Sequence, residues 1–231
     1  MFIKKIKNFC KYSILFLLII LTNNARAEFF EDLSKIIENN EKRLSYGISV
    51  TDFNMDGNNE FLVTGFGFPN LALSFQDSKK TIGVAACDID KDGFEEIYFL
   101  NTDTYSGVKK YSDRLLDIKD NNYFDLFELE KNKENLNLTA GRSVVCVDRK
   151  GDGEYGIYVA NYGGPTRFYE IENELIKDKA KNLNLDNITG GRAVVSGHIL
   201  TERADIFAAN ERGANFLFKN NNGNFEDVAF D

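Results

Sequence analysis

Residues 88–101 read DIDKDGFEEIYFLN. Asp88, Asp90 and Asp92 fall at alternate positions, Gly93 follows, and Glu95 and Glu96 precede the apolar run Ile97 to Leu100. Carboxylates packed this closely repel one another, so they are either splayed into water or gathered on a cation. The spacing suits a hard cation: oxygens at positions 1, 3 and 5 converge, glycine at 6 allows a sharp turn, position 7 offers a main-chain carbonyl, and a later acid closes the shell. Here Phe94 offers the carbonyl and Glu96, at position 9, the closing carboxylate. An EF-hand would close at position 12, which is Phe99, and would be flanked by helices. The flanks instead read as strands, so the expectation is a short calcium loop inside a β-hairpin. The competing reading is a solvated acidic turn, since Asp-Gly is a common hairpin signal.

The same turn recurs. Residues 52–60 place Asp52, Asn54, Asp56 and Glu60 at 1, 3, 5 and 9, with Asn58 at 7. This matches the 88–96 turn position by position and predicts a second calcium site. In residues 148–156, Lys150 stands where an oxygen is needed and Gly156 replaces the closing acid. That turn is expected to have kept its shape and lost its metal, with Lys150 pairing with Asp148 or Asp152. The stretch from His198 through Glu202 to Asp205 retains none of the pattern.

Around these turns one unit repeats four times. Its lead strands are Tyr46–Val50, Ile82–Cys87, Ala140–Val147 and Gly190–Val195, the last two sharing Gly-Arg-x-Val-Val. After the turns come Phe61–Gly65, Ile97–Asn101, Ile157–Asn161 and Ile206–Asn210. Third strands are read at Pro69–Leu73, Ser106–Val108, Thr166–Tyr169 and Asn215–Phe218, and outer strands at Tyr123–Leu126 and Phe225–Val228. Phe30–Leu33 reads as another outer strand, although Phe29, Leu33, Ile36 and Ile37 also have helical spacing. Four short strands in about 40–50 residues describe a propeller blade. The predicted class is all-β: β-propeller blades of four antiparallel strands, about four of them in an incomplete or open ring. The blades are expected at about 44–80, 82–130, 140–186 and 190–231. The 20 Phe and 10 Tyr are expected to form the core between blades.

The chain opens as an export signal. Lys4, Lys5, Lys7 and Lys11 precede the apolar run Ile14 to Leu21, and Ala25-Arg26-Ala27 is a small-x-small cleavage site. Residues 1–27 are therefore expected to be removed, leaving 28–231 secreted or periplasmic. The apolar run is too short to span a bilayer, and no other segment is long and apolar, so the mature chain is expected to be soluble. It carries 36 acidic and 23 basic groups, a net charge of −13, which disfavours nucleic acid and anionic membrane as partners. Cys87 and Cys146 remain after cleavage, each within two residues of an Asp turn. An oxidising compartment permits their pairing. Equivalent positions in neighbouring repeats need not meet, however, and two buried thiols are expected rather than a disulfide.

D-x-[DN]-x-D-G-x-x-[DE] between strands resembles the FG-GAP or VCBS repeats, which are similar to the calcium blades of integrin α-subunits. Residues 82–101 (IGVAACDIDKDGFEEIYFLN), 140–161 (AGRSVVCVDRKGDGEYGIYVAN) and 205–228 (DIFAANERGANFLFKNNNGNFEDV) are similar to consecutive blades of the cartilage acidic protein family, its bacterial members included. The resemblance implies a secreted, calcium-binding β-propeller with a role in binding or adhesion and no established enzymatic activity. It also implies further blades and a C-terminal domain beyond Asp231, so the chain is expected to be a fragment or a part that needs a partner.

A catalytic set is hard to find. His198 is the one histidine, and no G-x-S-x-G, H-E-x-x-H or phosphate loop occurs. The acidic pairs are accounted for by cation spacing. The expected role is a binding or adhesion module for a protein or glycan. A purely structural piece of a longer propeller is the alternative, and a hydrolase or lyase built from Asp and Tyr ranks last.

Overall fold

The computed structural model describes residues 45–51, 60–65, 81–119, 122–173 and 175–230. The expected signal peptide, the strand or helix at 29–39, most of the first Asp turn (52–59) and the strand at Pro69–Leu73 lie outside these residues.

The protein is all-β. Strands β1 (Ser45–Thr51) and β2 (Glu60–Gly65) form an antiparallel pair. Strands β3 (Thr81–Cys87), β4 (Glu96–Asn101), β5 (Arg114–Lys119) and β6 (Asn122–Asp125) form a four-stranded antiparallel sheet in chain order. Strands β7 (Gly141–Val147), β8 (Gly156–Pro165), β9 (Arg167–Glu172) and β10 (Leu175–Asp178) repeat that order. So do β11 (Ile188–Gly197), β12 (Asp205–Asn210), β13 (Phe216–Asn221) and β14 (Asn224–Asp227). The long β8 and β11 also pair where Tyr162–Pro165 meets Ile188–Gly190, merging the last two units into one sheet. The lead strands β1, β3, β7 and β11 pack side by side in that order.

One expected strand is misplaced. Ser106–Val108 is loop, and the third strand of its unit is β5. Gly107 adopts a left-handed φ of 74° and donates its N–H to the Tyr162 carbonyl, so this stretch leans on the next unit. Leu115 and Leu116 supply the apolar strand instead, both fully buried.

Side-chain alternation explains why the second strand of each unit is a continuous apolar run. Ile97 and Phe99 pack towards β1–β2 with Leu62, while Tyr98 and Leu100 pack towards the next unit with Ile157, Val159 and Tyr169. Tyr158, Ala160 and Phe168 then face Ile206, Phe218 and Phe225. Strands β4 and β8 are buried on both faces, so both of their parities must be apolar. Tyr98, Tyr158, Phe168, Tyr169, Phe218 and Phe225 are core between units, as expected, whereas Tyr105, Tyr111 and Phe230 are exposed.

Two clamps recur. Asp125, Asp178 and Asp227 end the outer strands, and each accepts the N–H of the third strand's second residue, Leu115, Phe168 or Leu217. Asp125 and Asp178 also hold the arginine opening the third strand, Arg114 at 3.0 Å and Arg167 at 2.7 Å. The Gly of the Gly-Arg lead-in admits the preceding unit. A Cβ on Gly141 would lie 2.2 Å from Leu100, and one on Gly191 2.6 Å from the Asn161 carbonyl oxygen.

Cys87 and Cys146 are joined in a disulfide, against the expectation of two thiols. They sit on adjacent lead strands, β3 and β7, whose close packing brings the Cα atoms to 6.3 Å, within disulfide reach.

Candidate metal centre

Cys87 pairs with Glu96, so residues 88–95 are the hairpin turn between β3 and β4. Left-handed Lys91 (φ 64°) and Gly93 (φ 92°) fold it tightly. Gly93 N–H donates to Asp88 Oδ2 (3.1 Å), Asp92 N–H to Asp90 Oδ1 (3.1 Å) and Phe94 N–H to Asp92 Oδ1 (2.9 Å). These bonds orient the carboxylates inward. Carboxylate oxygens of Asp88, Asp90 and Glu96 lie within 4.8 Å of one another. Asp92 is not part of that trio; its Oδ1 accepts the Phe94 N–H. The N–H of Phe94 is thus engaged, and the ring is half-buried.

Glu96 is fully buried. Its Oε2 accepts the Ile89 N–H at 2.8 Å, while Oε1 is buried with no hydrogen-bond partner, as is Asp88 Oδ1. Burial pushes the Glu96 carboxyl up to about 8; the Ile89 N–H opposes this, and the charges of Asp90, Asp117 and Asp92 reinforce it. A buried carboxylate beside other carboxylates is costly unless a cation neutralises it. Calcium sits about 2.3–2.6 Å from each oxygen, so ligand atoms around one ion are at most about 5 Å apart. The trio and its two orphaned oxygens fit such an ion.

The first turn's Asp52, Asn54, Asp56 and Asn58 lie outside the described residues. Glu60 opens β2 opposite Thr51, the register position that Glu96 holds opposite Cys87.

The third turn repeats the backbone of the second but lacks the carboxylates of Asp90 and Glu96, with Lys150 and Gly156 in their places. Gly151 (φ 71°) and Gly153 (φ 80°) are left-handed where Lys91 and Gly93 are. Asp148 accepts the N–H groups of Gly151 (2.7 Å), Asp152 (3.2 Å) and Gly153 (2.9 Å). Lys150 pairs with Glu154 at 2.7 Å, not with Asp148 or Asp152 as expected; Asp148 is already occupied by the backbone. Asp152 is instead reached by Lys91 of the second turn at 3.6 Å, and Tyr155 N–H donates to the Asp88 carbonyl, so the two turns abut. Gly156 occupies the closing position, where a Cβ would lie 2.4 Å from the Phe168 ring. Core packing excludes an acid there.

The fourth turn is less eroded than its sequence suggests. Gly197 pairs with Asp205, which makes Asp205 the counterpart of Glu96. Asp205 Oδ2 accepts the N–H groups of Ile199 (3.1 Å), Leu200 (2.6 Å) and Thr201 (2.9 Å), and Oδ1 accepts Asn220 N–H (2.7 Å) and the Thr201 hydroxyl (3.0 Å). The closing carboxylate survives with its oxygens satisfied by the protein. The legible signal was its place, one residue before Ile-Phe, as Glu96 stands before Ile-Tyr. His198 is exposed in this turn.

These features define a class: an all-β repeat protein with Asp-based hairpin turns, one of which, among the described residues, gathers three carboxylates that could hold a cation. No protein-family model matches the chain. It is 40% identical to Cartilage acidic protein 1 of Homo sapiens over 233 aligned residues, covering 83% of this chain and 35% of that protein. It is 39% identical to the proteins of that name from Xenopus tropicalis and Mus musculus, covering 36% of each. The chain belongs to the cartilage acidic protein family. It spans about a third of the length of these curated relatives. Among the described residues, no helix is long and apolar enough to cross a membrane.

Proposed function

We propose that this chain is an exported, calcium-binding segment of a β-propeller that acts as a binding or adhesion module for a protein or glycan and is not an enzyme. Each four-stranded unit is one blade, with the lead strands nearest the central axis; their side-by-side packing supports this arrangement. The observation that carries the calcium reading is the trio Asp88, Asp90 and Glu96 with the buried, unpartnered Glu96 Oε1 and Asp88 Oδ1. The second site is the matching turn of Asp52, Asn54, Asp56, Asn58 and Glu60. The third and fourth turns stay metal-free because lysine, glycine and backbone N–H groups have replaced the cation there. Calcium is structural in this reading: it ties the start of one strand to the end of its neighbour and leaves the loops free for a partner.

Thermal melts of residues 28–231 with calcium and with chelator test it, with light scattering in parallel. An ion bound only by the native state at a hundred times its Kd adds about 2.7 kcal/mol of stability. A calcium-dependent rise in Tm that Asp88→Asn with Glu96→Gln removes would support the site. Equal melts with calcium and chelator would remove it and leave a structural propeller piece.

A further inference from the structure

The turns with acidic residues occupy one end of the lead strands. The other end carries an opposite charge. Every lead strand has a register shift near its start against the strand it pairs with, and in β7 and β11 these bulges hold Arg142 and Arg192. Bulges re-aim side chains and are over-represented beside functional sites. The guanidinium carbons of Arg142, Arg192 and Arg212 lie 5.1, 5.5 and 5.3 Å from the centroid of the Tyr162 ring. Arg142 and Arg192 also lie 4.9 and 5.9 Å from that of Tyr105. Tyr162 is buried, whereas Tyr105 and Arg212 are open to solvent.

Three cations thus converge on one aromatic ring, in a protein whose formal charge is −8. Among the described residues one carboxylate is paired within the cluster: Glu211, with Arg192. Among the described residues Arg142 and Arg212 form no ion pair. Arg142 donates to the carbonyls of Gly141 and Tyr105, and its Nε is buried with no hydrogen-bond partner. Burial, then the charge of Arg192, pushes the Arg142 guanidinium below its usual range. Ring faces offset part of the repulsion between the three cations, but a net charge of about +2 remains once each group takes its ordinary ionisation.

We propose that Arg142, Arg192 and Arg212 form a binding site for a single oxyanion, a carboxylate or sulfate carried by a small ligand. Guanidinium groups recognise planar or tetrahedral oxyanions through paired N–H donors. The three groups gather within 5.5 Å of one ring centroid rather than forming a stripe, and the protein's overall negative charge repels an extended polyanion. Glu211 is the internal counter-ion that such a ligand displaces.

The test is isothermal titration of residues 28–231, in calcium, with sodium sulfate and with sodium glucuronate against sodium chloride at matched ionic strength. Saturable binding of either probe is expected, and which one binds tells sulfate from carboxylate. Arg212→Gln, an exposed change, should weaken it about tenfold, the scale of one hydrogen bond to a charged group. Glu211→Gln should tighten it by removing the competing carboxylate, an effect that a merely structural role for the cluster does not produce. Binding of neither probe beyond chloride would overturn the proposal. So would an unchanged affinity in Arg212→Gln, or weaker binding in Glu211→Gln.

Discussion

Glu96 and Asp205 hold the same register position in two units and make the same bond: each turns its carboxylate back to accept the N–H of the turn's second residue, Ile89 at 2.8 Å and Ile199 at 3.1 Å. They differ in what meets the rest of the carboxylate. Asp205 is filled by Leu200, Thr201 and Asn220, whereas Glu96 Oε1 has no protein partner. One turn is closed by the backbone; the other is left open on the side of Asp88 and Asp90.

Opposite responses to mutation follow. With its carboxyl raised to about 8, metal-free Glu96 is mostly neutral near pH 7, so Glu96→Gln should leave the apo Tm close to that of the parent while its calcium-induced shift disappears. Asp205→Ala strips several N–H groups of their acceptor and should cost about 3 kcal/mol with or without calcium. Paired melts of both variants in calcium and in chelator separate the two behaviours.

Asp205 also sets an acid limit. Burial raises its carboxyl, but the N–H groups of Asn220, Leu200 and Thr201 and the Thr201 hydroxyl outweigh burial and hold it below the usual carboxylate value. A carboxyl lowered on folding stabilises the fold fully above its unfolded value of about 3.9 and loses that contribution as pH falls through the lower folded value. Denaturant unfolding between pH 5 and 2, at roughly the spacing needed to bracket that window, should give a shallower acid decline for Asp205→Asn than for the parent.

The Cys87–Cys146 disulfide joins two units across a sequence separation of 59 residues. Chain-entropy reasoning assigns a loop of that size about 4 kcal/mol. Cys87→Ser with Cys146→Ser, or reduction of the parent, should lower the denaturant midpoint accordingly. Thiol titration of the unfolded, unreduced mature chain should detect no free cysteine.

The third turn should resist conversion into a calcium site. Lys150→Asp restores an oxygen, but Gly156→Glu drives a side chain into the Phe168 ring. Gly156→Ala alone should cost about 1–3 kcal/mol by overpacking, and Phe168→Leu in the same chain should recover part of it. Urea melts of the two single variants and the double variant measure the coupling.

Local features of the sequence determined much of this protein. The Asp-x-Asp-x-Asp-Gly spacing reads as a turn because its chemistry lies within nine residues, and the short apolar runs after each turn read as strands. Repetition of strand, turn and strand gave most of the order from β3 to β14, but neither β5 nor β10. Tertiary packing decided the rest, because the atoms concerned meet only when units stack. Cys87 and Cys146 pair because β3 and β7 are neighbours. Gly156 is barred from carrying an acid by the ring of Phe168, twelve residues along the chain. Asp205 proves to be the closing carboxylate only once β11 and β12 are in register. Arg142, Arg192, Arg212 and Tyr162 form one cluster because the merging of β8 with β11 brings the ends of two units together. Spacing along the chain encodes contacts within a hairpin, and contacts between hairpins depend on how their sheets pack.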